Sequence, residues 1–197
     1  RNETGLYILT GSSSQNVKTP HTGTTRISTL KMYPMSLYES GESSGEVSLL
    51  DLFQRKEMEF VVSKLTINDL FYQTCHRDIS AIDGVRRNPL WAEKVLKSYS
   101  RNICTLADTK TIFGDINSTT DMTKPTYYDY ISALENLYII EDIPAWCPSI
   151  RSKGAIRASS KRNLIDPSIA VAALGISPEY FNNDFKTLGF LFESLCI

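Results

Sequence analysis

Two textures of hydrophobic and polar positions meet near residue 60. Gly5 to Gly11 reads GLYILTG, apolar from Leu6 to Leu9, which predicts a short strand buried on both faces of a parallel sheet. Residues 12–25 (SSSQNVKTPHTGTT) offer almost nothing to a core and predict a loop beyond that strand's carboxyl end. Thr29 to Met35 alternates as a second strand would, with Pro34 near an edge. A connector at Ser40–Ser44 and a short serine-capped helix from Ser48 complete this first part.

From Thr66 to Ala107 apolar residues instead recur at intervals of three and four, the spacing of a helix face. Asn88 and Pro89 open a helix carrying Leu90, Trp91, Val95, Leu96, Tyr99 and Ile103 on one side. DTKTIFGDI predicts a short helix. A third helix is expected from Thr126 to Tyr138, followed by the apolar run YIIEDIPAW. Helix, short helix, helix and a β-type hairpin is the order of a winged helix-turn-helix, expected between Asn88 and Lys153. Its expected core is Trp91, Tyr99, Leu106, Ile131, Leu134, Leu137, Ile140 and Trp146. Asp166-Pro167 starts a further helix that Gly175 closes, and SPEYF opens the next.

Composition changes this picture little. The 197 residues are 42% hydrophobic and 22% charged, with a net charge of -1, so any attraction to nucleic acid or membrane must come from a local patch. The four cysteines form no CxxC pair, which suggests neither a zinc site nor a disulfide framework but buried thiols in a reducing cytoplasm. No apolar run approaches the ~20 residues of a membrane-spanning helix. The first residues lack a starting Met and a leader, and the last, GFLFESLCI, read as a helix that stops while still apolar, so both ends are expected to be cuts.

Several long strings go further: ILTGSSS, TGTTRISTLKMYPMSLYESGESSGEVSL, DISAIDGVRRNP, KSYSRNICTLA, ALENLYIIEDIPAWCPSIRSK, KRNLIDPSIAVAALG and TLGFLFES. Together they resemble the bacterial and archaeal AAA-type ATPases whose core is followed by a domain of unknown function. The resemblance implies an α/β remnant of a P-loop ATPase core over residues 1–60. A mainly α, winged-helix module would follow over 61–153, and the start of an α+β, restriction-endonuclease-like domain over 154–197. It also implies ATP and Mg as cofactors of a complete protein. No GxxxxGK[ST] loop occurs in this sequence, so the chain as it stands is expected neither to bind ATP tightly nor to hydrolyse it. The short spacing between Phe53 and Asp78, with no Gly-Gly-aromatic-Pro motif between them, implies a segment missing near residues 54–77.

The candidate site residues fall in two groups. Thr10 and Ser12 end the first strand, where ligands of such sheets collect, and the resemblance makes them a sensor of the γ-phosphate; Thr-Gly-Ser is equally a common turn. Arg26, beyond the polar loop, reads either as an arginine finger or as a solvated side chain. His21 has no acid or cysteine at catalytic spacing. Arg151, Lys153, Arg157, Lys161 and Arg162 form the densest positive cluster and suit either a phosphate backbone or a protected sheet edge. Lys124, Thr126, Tyr127 and Tyr128 open the expected recognition helix, among Asp121, Asp129 and Glu135, an acidic setting that favours packing over DNA reading. No metal ligands stand out, and the chain ends before the aspartate and Glu-x-Lys of a nuclease. Two functions remain in view, the C-terminal portion of an ATPase and a protein- or DNA-binding regulatory module, with oligomeric state open.

Overall fold

The structure, a computed structural model, describes Tyr33, Glu39, Gly41 and residues 64–146, 159–177, 180, 181 and 183–197. The strands expected before residue 60 lie outside these, apart from the exposed Tyr33.

Among the described residues there are six principal helices. Helix α1 (Lys64–Gln73) runs into a π-helical segment, Thr74–Asp78, and a last turn, Ile79–Ala81. This stretch is continuous helix from Lys64 to Ala81. Helix α2 (Pro89–Arg101) opens as its sequence dictates: Asn88 accepts from the Leu90 amide and Pro89, which needs no intrahelical partner, takes the first turn. Helix α3 (Thr109–Asn117) is capped by Asp108 and α4 (Lys124–Asn136) by Thr123, again with a proline in the first turn. Asp166 caps α5 (Pro167–Leu174) and Asp184 caps α6 (Phe185–Leu195). SPEYF therefore precedes the last helix rather than opening it, because Asp184 supplies the cap.

Helix α2 is the centre of the body. It packs against α5, α3, α4 and the π-helical segment, while α1 and α6 also lie on α5. One hydrophobic cluster joins Cys75, Ile79, Val95, Leu96, Tyr99, Ile112, Ile116, Leu134, Ile140, Leu164, Ile169 and Leu191. Residues from both sides of the expected boundary at 153/154 share this core, so no separate nuclease-like core begins there among the described residues.

After α4 comes a narrow antiparallel ribbon. Ile140 bridges Leu164 and Ile143 bridges Lys161, and the Ile143 and Lys161 amides each donate to the other's carbonyl at 2.9 Å. The second arm is paired on its other side as well, since the Cys104 amide donates to the Arg162 carbonyl at 2.8 Å and the Arg162 amide to the Thr105 carbonyl at 2.9 Å.

Most of the expected core is buried or half-buried, with two departures. Leu106 is 64% exposed because α2 ends at Arg101 and Leu106 sits in the following turn, off the helix register. Trp146 is 86% exposed because it lies beyond the last bridge at Ile143. Leu90, placed on the apolar side, occupies the first turn of α2 and is 61% exposed.

Two helices end in the same reverse turn. After α5, Gly175 is left-handed (φ 65°), its amide donates to Ala172 and that of Ile176 to Val171. After α4, Tyr138 takes the equivalent place at φ 58°, with its amide on Glu135 and that of Ile139 on Leu134. A side chain there crowds the following carbonyl, and glycine relieves it. We expect Tyr138→Gly to raise stability and Gly175→Ala to lower it, each by about 1 kcal/mol, in urea unfolding followed by circular dichroism. Opposite signs at the two sites check the shared geometry.

Candidate functional site

Thr10, Ser12, Arg26, His21, Arg151, Lys153 and Arg157 lie outside the described residues. The resemblance assigns the ATP and Mg of a complete protein to a segment upstream of this chain, so no described residue bears on them. Among the described residues, no group of three or more His, Cys, Asp or Glu is placed to hold a metal ion.

Lys161 and Arg162 are described, and consecutive residues of an extended arm point to opposite sides. Lys161 turns to α6 and pairs with Glu193. Arg162 turns inward, with a side chain 14% exposed, and pairs with Asp142, which also accepts from the Tyr99 hydroxyl. Its Nε donates to the Ala107 carbonyl at 2.9 Å, and its guanidinium lies 5.7 Å from the centre of the Tyr99 ring. The second half of the expected phosphate-binding cluster is thus engaged within the chain. Arg162 ties the root of the ribbon to α2 and to the turn before α3.

This network raises the pKa of three groups, each for its own reason. Burial, reinforced by the bond to Asp142, pushes the Tyr99 hydroxyl far up, so it stays a donor. Burial and the nearby Asp142 also raise the Glu135 carboxyl. For Arg162 burial works against the charge, but Tyr99 and Asp142 outweigh it and the pKa rises.

A second network is centred on a more deeply buried arginine. The Arg87 side chain, 2% exposed, pairs with Asp83 at 2.6 Å and with Asp129 of α4 at 2.8 Å, and donates to the Ile79 carbonyl at 2.5 Å. The bond from Asp83, and then that from Asp129, raise the Arg87 pKa, and the same guanidinium holds the Asp83 carboxyl below its ordinary value.

On α4 the residues expected at the recognition surface divide. Tyr127 is 2% exposed, edge-on to Phe113, and burial lifts its hydroxyl to about 12. Tyr128 is 56% exposed and shares the outward face with Lys124, Ser132 and Glu135. Adjacent residues sit 100° apart on a helix, and Tyr127, in register with Tyr130, Ile131 and Leu134, takes the buried side while Tyr128 faces outward.

The surface also has two hollows. One, about 440 Å³, lies along α2 between Phe71, Leu90, Trp91, Lys94, Lys97 and Thr120. Its single acid, Glu93, sets an oxygen 2.7 Å from His76, whose ring stacks on Tyr72. The other, about 370 Å³, lies between the end of α2 and the turn after α5 and is lined in part by Ser100, whose buried hydroxyl has no partner among the described residues. Sequence reasoning found neither, because each is made by residues brought together from three or more elements.

Residues 54–180 match a family described as a domain of unknown function (DUF8612). The chain belongs to that family. The match crosses both expected domain boundaries, in keeping with the single core. It corrects the resemblance to the AAA-type ATPases, since the family found is the domain of unknown function and no ATPase family. The strings behind that resemblance have a structural reason to stand out. DISAIDGVRRNP holds Asp83, Arg87 and the Asn88 cap, KSYSRNICTLA holds Tyr99, and KRNLIDPSIAVAALG holds Arg162, the Asp166 cap and Gly175. These residues specify the fold of the matched domain. Curated proteins and solved structures give no match to the chain.

Removing one member of a buried pair leaves the other charge unmet, whereas an exposed pair is worth little. Arg162→Ala should cost about 3 kcal/mol and Lys161→Ala no more than about 1 kcal/mol, read as shifts in the urea midpoint. A pH series checks the other network. Asp83 is held low in the folded state, so its contribution is present above the ordinary aspartate range, about 3.9, and is lost as pH falls through the lowered value. The stability gap between wild type and Asp83→Asn should therefore be full at neutral pH and close below about pH 4.

Proposed function

We propose that residues 89–164 form a winged helix-turn-helix that holds a partner protein rather than reading DNA. The element order supports the reading: α2, a short paired segment at Cys104 and Thr105, then α3, α4 and the two arms at 140–143 and 161–164. Pairing of the middle arm on both sides makes a three-membered ribbon against three helices, as the motif requires.

The observation that carries the protein-binding reading is the distribution of charge over the surfaces that would face DNA. Affinity for a phosphate backbone comes from cations free to displace counterions. On the ribbon, Lys161 and Arg162 are engaged by Glu193 and Asp142. On α4, the outward face has Lys124 as its cation, set against Glu135. Large apolar groups stand out instead: Tyr128 on α4, Leu106 before α3 and Trp146 beyond the ribbon. Exposed aromatic residues with few free charges favour a protein surface as the partner.

Two measurements test the reading. In fluorescence anisotropy, duplex DNA should bind weakly and without sequence preference, with an affinity that falls steeply with salt and is unchanged by Tyr128→Ala. A photo-crosslinking amino acid placed at Tyr128 in cells should give a discrete protein adduct, while one at Thr111 on α3 should not. Sequence-specific DNA binding abolished by Tyr128→Ala, or a nucleic-acid adduct at that position, would overturn the proposal.

A further inference from the structure

We propose that the groove along α2 binds an acidic protein segment by taking one bulky apolar side chain between Phe71, Leu90 and Trp91 while Lys94 and Lys97 hold the flanking carboxylates. This surface is separate from the outward face of α4, so the proposal stands or falls independently of the winged-helix reading.

Leu90, Lys94 and Lys97 are spaced four and three residues apart, which aligns them on one stripe of α2. Trp91 beside them is fixed by its tilted contact with Tyr130, ring centres 6.4 Å apart. Below lie Phe71 of α1 and Ala173 of α5, and Thr119 and Thr120 close one end. The floor is therefore apolar and the α2 wall cationic.

Charge selects the occupant. Lys94 donates to the Thr119 carbonyl at 2.9 Å, which positions its ammonium at the rim and leaves two N–H groups for a ligand. Lys97 is exposed, with no ion pair among the described residues. The acid of the same lining, Glu93, is satisfied on the other side by His76. The groove thus presents two ammonium groups above an apolar floor, complementary to an anionic chain with a large apolar residue.

Size and shape narrow the choice further. About 440 Å³, half open to solvent, seats a side chain while the rest of the ligand runs across the rim. A nucleic-acid backbone would find only two cations and leave the apolar floor unused unless a base stacked on Trp91, so a single-stranded oligonucleotide serves as the competing ligand.

The probe is a short fluorescein-labelled peptide in which glutamates flank a central phenylalanine, titrated with the full chain at low salt. We expect saturable binding that weakens with salt and falls about tenfold or more when the phenylalanine becomes alanine or when Lys97→Glu is introduced. Lys94→Glu with Lys97→Glu should abolish it, with an unchanged circular dichroism spectrum showing that the variant is folded. A peptide with lysine in place of glutamate should not bind. Absence of saturable binding, binding indifferent to Lys97→Glu, or tighter binding of an oligonucleotide of equal charge would each overturn the proposal.

Discussion

A guanidinium taken out of water must find all its partners inside, and Arg87 does so at a point where three parts of the chain meet. Its charge is met by Asp83 in the same loop and Asp129 on α4, and a further N–H by the carbonyl of Ile79 at the end of the first helical run. Leaving such a group unpaired costs several kcal/mol, so the loop 82–88 and the face of α4 cannot move independently. The next residue, Asn88, then starts α2, and its backbone exchanges hydrogen bonds with the Tyr130 hydroxyl. The direction of the central helix is set by that joint.

Arg162 repeats the device on the opposite side of α4's packing. It joins the ribbon to α2 through Asp142 and Tyr99 and to the turn before α3 through Ala107. Between the two arginines, α2, α3, α4 and the ribbon are held by directional bonds as well as by apolar burial. Hydrophobic contact is tolerant of small shifts, whereas paired charges with several bonds each accept one register. Apolar burial provides the drive to collapse and the arginines choose among collapsed arrangements.

Helix starts were the most legible part of the sequence, because capping is local chemistry: Asn88-Pro89 and Asp166-Pro167 act within one turn of themselves. Gly175 was legible for the same reason, and Tyr138 in the equivalent turn was not, since a tyrosine there goes against local preference and is imposed by the packing of Leu134 and Ile139. The positive cluster shows the limit more sharply. Lys161 and Arg162 looked like a surface for phosphate because their partners, Glu193 and Asp142, are 32 and 20 residues away. The resemblance to ATPases failed in a related way. Within the matched domain the long strings that carry it hold caps and arginine staples.

The ribbon carries a consequence for how this fold tolerates change in length. The Ile143–Lys161 pair fixes the points at which the chain leaves the body and returns to it, and two hydrogen bonds close that exit. Each doubling of the length that a flexible connection spans costs only about 0.6 kcal/mol in closure entropy. Residues can be gained or lost between 144 and 160 without disturbing the helices, provided the two arms keep their pairing. Members of the family should therefore differ most in length there, and a guest domain spliced at that place would leave the host folded.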